Sequence, residues 1–399
     1  MDINSFVIGY KKGKASGLGL NIAYGDTAPE DTSKIWVKSK KPDKVRVEEL
    51  TYSKVIDYPF SVSKHYAKGR TAIGSKIYLF GGRDTTTLRK ATSYDTITGE
   101  TVSIGDVAAD SNPMHVCGDG EKAYILNYTD LQIYYPATNS YEKSIIANYG
   151  SLTNYGNGVD TAVYADGCIY LLGGGNATAQ TIYKVDIANK EATKCAGKLL
   201  VGLYDPSCVS IGTKIYIFGG YNSQDKSVTN AYCYDTENDS VSAIKFLPEA
   251  SCGHGCVAYD DKILILGGYN YTKNTATTTY YNKVMVYDPA KDDYETLGGT
   301  LLTARKATTA VTVGDKVYMI GSIDADDGKD KIEVYSVMPN VENNTLVMLY
   351  KSGGTKIPII NAETVHVDTN IGGAYMGDEN NVGQKVEALM YTDGEWTNI

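Results

Sequence analysis

The stretch Lys214–Asn222, KIYIFGGYN, is an apolar run that stops at a glycine pair. A glycine doublet after a strand opens many phosphate-binding loops, but there the chain goes on into a helix. Here the doublet is followed by YNSQDKSVTNAYCYDTENDS, which is polar, turn-rich and then strand-like again. Gly219-Gly220 therefore reads as a strand end, where a missing Cβ permits a bend or a close backbone approach.

Working outward, the same element returns as IYLFGG (77–82), AYILNY (123–128), IYLLGG (169–174), ILILGG (263–268) and VYMIGS (317–322). The doublets begin at 81, 127, 173, 219, 267 and 321, giving intervals of 46, 46, 46, 48 and 54. A fixed period of this size marks a repeat architecture. Upstream of each doublet is a tight turn (GSK, GEK, ADG, GTK, DDK, GDK) and, before it, a small-residue strand such as SCVSI. Downstream, after a loop of variable length, a strand ends in Tyr94-Asp95, Tyr135-Pro136, Val185-Asp186, Tyr234-Asp235, Tyr287-Asp288 or Tyr335-Ser336. In the first five units a turn then leads to a short fourth strand. Each unit is a four-stranded meander, and the fold class is all-β: a six-bladed β-propeller over 45–340. The sixth unit has no fourth strand of its own before Pro339, so Val45–Leu50 is expected to complete it and latch the ring.

The doublet, the Tyr-Asp pair and the period resemble the kelch repeat. The Trp usual in the fourth strand is missing, and Tyr141, Val241 and Tyr294 stand near its place. This resemblance implies a fold rather than an activity, since kelch propellers include copper oxidases, sugar isomerases and plain binding modules.

Residues 1–44 and 341–399 fall outside the ring, the first as a glycine-rich arm and the second as a small β module. LNIAYGDTAPEDTSKIWVK (20–38) and AYMGDENNVGQKVEALMYTDGEWTNI (374–399) resemble attachment and terminal modules of tail or baseplate proteins from phages and prophages of Gram-positive gut bacteria. That resemblance implies a virion component, assembled in the bacterial cytoplasm and released by lysis. Its partners would be other tail proteins, further copies of itself, and a host cell-surface glycan or protein.

Composition bounds the rest. The net charge is −9 with Lys and Arg scattered, so the basic stripe needed for nucleic acid is absent. No run is long enough to insert in a membrane, and seven Cys without a CxxC pair fit a reducing compartment. Tyr is abundant, 34 residues against 5 Phe and 2 Trp, as suits pleated surfaces with polar outer tips.

Function is expected on the face that carries the long loops between second and third strands. Tyr221 and Asn222 open one such loop; Tyr269, Asn270, Tyr271, Tyr280 and Tyr281 lie in the next. Tyr, Asn, Ser and Thr together give aromatic anchors and adaptable hydrogen bonding. Counting 13 residues back from the doublets places Lys68, Asp160, Pro206, His254 and Thr308 around the channel mouth, with His115 at 12 in the second unit. Asp160 and His254 join the candidate ligand-binding set. This mixed ring forms no carboxylate pair or triad, so no catalytic residue is assigned and no cofactor is expected.

A copper-radical site would need two His, two Tyr and a Tyr–Cys crosslink, whereas the chain has only His65, His115, His254 and His366, the last outside the ring. Cys252, His254 and Cys256 in SCGHGC offer at most three ligands; Cys208 and Cys256 stand where other blades have Ala162 and Ala310, as small core residues. Asp324–Asp330 has the alternating carboxylates of a calcium loop without its distal Glu, and reads as a solvated acidic turn. Two other functions stay open: a cytosolic kelch enzyme of the sialate isomerase type, and a structural collar or decoration protein.

Overall fold

The computed structural model describes residues 22–24, 35–38, 47–57, 69–83, 87–107, 115–126, 130–148, 161–173, 180–224, 226–259, 261–272, 278–297, 301–304, 309–314, 316–320 and 331–339, and seven short strands between 345 and 398. Six four-stranded sheets form a β-propeller. Blade 4 runs Ser207–Ile211, Lys214–Phe218, Ala231–Asp235 and Ser240–Ala243, an antiparallel meander with Ser207 opposite Phe218, Phe218 opposite Ala231 and Tyr234 opposite Val241. Blade 5 repeats it with Gly255–Tyr259, Lys262–Leu266, Val284–Asp288 and Asp293–Thr296. In blade 6 the strands Thr309–Val313, Lys316–Ile320 and Lys331–Pro339 are completed by Val47–Asp57. The first strand of each blade packs on that of the next, and blade 6 on blade 1, so the circle closes.

Closure explains the continuous apolar runs. A second strand is covered on both sides, and alternate side chains serve different cores. Ile215 and Ile217 pack with Tyr170, Leu172 and Cys208 between blades 3 and 4. Tyr216 and Phe218 face the other way, onto Cys256, Ile263, Ile265 and Tyr287 of blade 5. The core at the seam joins Ile77 and Leu79 of blade 1 to Tyr318, Ile320, Ile332 and Val334 of blade 6. Cys208, Cys256 and Ala310 are buried in these inter-blade cores, as their alignment requires.

The doublets have a steric role. Gly81, Gly173, Gly219 and Gly267 all adopt left-handed φ, between 59° and 67°. A Cβ on Gly219 would stand 2.2 Å from the Ser251 carbonyl and 3.0 Å from His254 Nε2, both in the segment leading into blade 5. The Gly220 amide donates to that Ser251 carbonyl at 3.0 Å. The second strand thus turns aside and the next blade docks onto bare backbone.

The Tyr-Asp pair is also a blade-to-blade device. Asp235 Oδ1 accepts the Glu237 and Asn238 amides and shapes the turn. Tyr234 reaches across that turn to donate its hydroxyl to Asp239, five residues on and left-handed at φ 46°. Asp239 in turn accepts the Ala196 and Gly197 amides of blade 3 at 2.8 and 2.9 Å. Blade 5 repeats the latch: Tyr287 donates to Asp292, which accepts the Lys245 amide of blade 4 at 2.7 Å. In blade 3, where Val185 replaces the Tyr, the left-handed turn residue is Lys190. At the places usual for Trp, Tyr141 packs on Tyr134 and Tyr294 on Tyr287 and Phe218.

The chain divides into two compact units, Val47–Met338 and, together, Met1–Arg46 with Pro339–Ile399. In the second unit Ile22–Tyr24 pairs with Ile35–Lys38, which pairs with Thr364–Val365. Arm and C-terminal segment therefore share a sheet rather than forming separate modules. A further sheet orders Thr355–Pro358, Thr345–Ser352, Ala388–Thr392 and Glu395–Asn398.

Gly219→Ala should cost more than about 2 kcal/mol, combining left-handed strain with overpacking. Gly212→Ala, at φ 59° with no atom within 4 Å of its Cβ, should cost only about 1 kcal/mol by strain alone. Chemical denaturation of the two variants checks this difference.

Asp239→Ala should cost about 1–3 kcal/mol by stranding its three donors. Burial opposes ionisation of Asp239, but the Gly197 and Ala196 amides and the Tyr234 hydroxyl outweigh it and hold the pKa below 3.8. The ionised latch is thus fully stabilising above pH about 4 and is lost as acid protonates it. Stability of Asp239→Ala should converge on that of the unaltered protein below that pH, as read by unfolding midpoints across pH.

Candidate functional site

The long loops of blades 4 and 5 are joined rather than independent. The Ser227 amide donates to the Tyr271 carbonyl at 2.8 Å, and the Tyr271 amide donates to Ser227 Oγ at 2.8 Å. Lys226 bridges Thr272, and Tyr221 bridges both Tyr204 and Ser227. The second loop contains its own hairpin, with Tyr269 opposite Tyr280 and Asn270 opposite Thr279. Tyr269 also exchanges backbone hydrogen bonds with Cys252, which anchors the hairpin to the lead-in of blade 5. Cys252 Sγ lies 3.3 Å from Ser227 Oγ and meets the Tyr269 carbonyl.

This zipper assembles a tyrosine track. Ring centroids step from Tyr204 to Tyr221 at 4.5 Å, to Tyr271 at 5.4 Å, to Tyr269 at 6.4 Å and to Tyr280 at 6.5 Å. The first four rings are half-buried and Tyr280 is exposed at the end. Burial raises the pKa of Tyr221 and Tyr269, and the Asp205 charge adds to both shifts, so these hydroxyls stay neutral. Asp205 is itself buried, in a left-handed conformation. Asn222 folds back to accept the Gln224 amide at 3.0 Å. Half-buried Tyr281 donates its amide to the Gly268 carbonyl, and Lys283 Nζ lies over its ring at 5.6 Å.

The candidates at the channel mouth separate from this track. His254 is fully buried and does not reach the loop surface. Register places it at the mouth, but Gly219 of blade 4 and Gly268 of blade 5 close over its ring. Ser207 Oγ donates to the His254 carbonyl at 2.5 Å and lies 2.6 Å from His254 Nδ1. The hydroxyl proton being committed, Nδ1 carries the imidazole proton. A Ser–His contact serves nucleophilic catalysis when the serine is accessible; here Ser207 is buried as well, and the pair braces blade 4 to blade 5. His115 makes the equivalent brace, its Nδ1 3.0 Å from Thr161 Oγ1 of blade 3. Pro206 is buried under the Gly173 and Gly220 backbones.

Asp160, Lys68, Thr308, His65, His366 and the Asp324–Asp330 loop lie outside the described residues. Among the described residues no three His, Cys, Asp or Glu side chains are grouped to hold a metal ion. Tyr204 and Ser227 were not singled out by sequence reasoning. Tyr204 lies between blades, and Ser227 is one of several small polar residues in its loop.

Residues 159–341 match the KLHDC2/KLHL20/DRC7 Kelch-repeats domain, which corresponds to blades 3 to 6. Four of the six blades of the propeller thus match kelch repeats, and a kelch propeller suggests a protein-binding scaffold. No curated protein matches the chain at a significant level.

Burial lowers the pKa of His254 from 6.5 to about 4. A neutral buried imidazole stabilises fully above pH 6.5, and this contribution is lost as pH falls toward 4 and the unfolded chain takes up the proton. At about 1.4 kcal/mol per unit the full loss is roughly 3 kcal/mol. His254→Asn should remove this slope between pH 6.5 and 4 in denaturation series, leaving the acid loss of the Asp239 latch.

Proposed function

We propose that this protein is a non-enzymatic recognition component of a phage or prophage tail or baseplate, with the long-loop face of the propeller contacting the host cell surface. The observation that carries this reading is the zipper between the loops of blades 4 and 5. It holds Tyr221, Asn222, Tyr269, Asn270, Tyr271, Tyr280 and Tyr281 in one ordered neighbourhood before any ligand arrives. Preorganisation of this kind lowers the entropic cost of binding. The tail setting rests on the resemblance of the flanking segments, and a scaffold that binds other proteins agrees with it.

The Ser207–His254 and Thr161–His115 contacts favour binding over catalysis, because both histidines of the ring among the described residues brace one blade to the next. Protein contacts have their own features on the blade edges. Ile145, Leu200, Phe246 and Leu302 are exposed, and each follows the fourth strand of its blade beside a buried Ile146, Leu199, Leu247 or Leu301. Such recurrent apolar side chains suit contact with neighbouring virion proteins.

Fluorescently labelled full-length protein should bind the surface of a susceptible Gram-positive gut bacterium. Tyr271→Ala should reduce the bound signal about tenfold or more, the size of a binding hot spot. Retention of full labelling by Tyr271→Ala and Tyr280→Ala would overturn the assignment of this face.

A further inference from the structure

We propose that the tyrosine track of blades 4 and 5 binds an uncharged oligosaccharide, laid along the rings from Tyr204 to Tyr280. This names the ligand class for the recognition face proposed above and rests on that reading. Three features of the surface converge on it.

The first is continuity. Five rings follow one another at centroid steps of 4.5 to 6.5 Å, each tilted by 36 to 68° to the one before, so the row offers a succession of faces and edges. A pyranose offers a face of C–H bonds that packs on an aromatic face, and a repeat of such faces matches a repeat of rings. The second is that the polar side chains beside the rings are mostly uncharged, with the charges of Lys226 and Lys283 at the margin. Asn222, Asn270, Thr272, Thr279 and the Tyr hydroxyls can donate to and accept from sugar hydroxyls without a formal charge. The buried Asp205 carboxylate acts on Tyr221 and Tyr269 in the sense that keeps their hydroxyls protonated.

The third is where the large apolar side chains are. The core of a protein–protein interface is usually more apolar than the rest of the surface. On this ring the exposed Ile145, Leu200, Phe246 and Leu302 follow the fourth strands, while the track itself displays Tyr, Asn, Ser and Thr. Tyrosine suits protein partners as well, so the choice of a glycan rests on the row of rings and on the uncharged hydroxyl and amide groups beside it. The zipper makes one site of the two loops: Ser227 holds Tyr271 through both its amide and its hydroxyl, so a ligand spanning both blades meets rings already held in one fixed arrangement.

The experiment screens full-length protein against immobilised neutral oligosaccharides of two to six units, sialylated and phosphorylated oligosaccharides, and a peptide library. The expected result is binding of a neutral oligosaccharide, strengthening with length up to the span of the track. Affinity should change less than about twofold as salt is raised, since screening acts on charge and the ligand carries none. Tyr280→Ala removes an exposed end ring without touching the core and should weaken long oligosaccharides more than short ones. Tyr271→Ala should weaken all of them about tenfold, and Tyr271→Phe should keep most of the affinity.

Binding confined to peptides, with the same tyrosine variants impaired, would overturn the glycan assignment and leave the recognition face standing. Binding of anionic glycans alone with steep salt dependence would also overturn it. A neutral glycan bound with no effect of Tyr271→Ala or Tyr280→Ala would place the site elsewhere and overturn both readings.

Discussion

The propeller depends on a backbone-to-backbone approach that only glycine permits. At Gly219 the second strand of blade 4 turns into left-handed φ, and the Ser251 carbonyl of the next lead-in occupies the space where a Cβ would be. Gly173 repeats this against the Leu203 carbonyl and Pro206 in the lead-in of blade 4, whereas Gly220 and Gly268, second in their doublets, lie against the lead-ins of their own blades at the Tyr204 and Cys252 carbonyls. From this approach follow the spacing of the blades, the burial of His254 and the two-sided cores of the second strands. In blades 4 and 5 the lead-in pairs with the loop of its own blade, Tyr204 with Tyr221 and Cys252 with Tyr269, which is how the Tyr204 ring comes to lie on Tyr221.

Tyrosine serves two purposes in this ring, and the difference is one of level. At the Tyr-Asp turns of blades 4 and 5, and at Tyr134 of blade 2, one residue before the expected Tyr135, the ring is buried in an inter-blade core and its hydroxyl is used up on a left-handed residue five positions on. On the opposite, long-loop side the rings touch one another and are only half covered. The same chemistry, an apolar body with a polar tip, latches blades in one place and presents a surface in the other.

Much of the architecture was legible because a repeat reports itself. Six marks at nearly constant spacing fix the blade count, and the incomplete sixth unit points to a strand from before the ring, found at Val47–Asp57. Small residues at equivalent positions, Cys208, Cys256 and Ala310, could be placed in the cores without seeing them. His254 was harder. Register gives its position along the strand but not the depth of cover above it, and that cover comes from Gly219 and Gly268 of two different blades. The pairing of Ile35–Lys38 with Thr364–Val365 was equally hidden, since no repeat links those segments.

The sequence by itself determined the all-β class, the number of blades, the closing segment and the face with long loops, because these follow from alternation, turn chemistry and period. Tertiary structure alone decided which tyrosines meet. Tyr221 and Tyr271 lie on loops of different blades, and their contact is set by the angle between adjacent sheets and by the Ser227 bridge. Neither leaves a local pattern in the chain, since a contact between loops depends on how the whole ring closes.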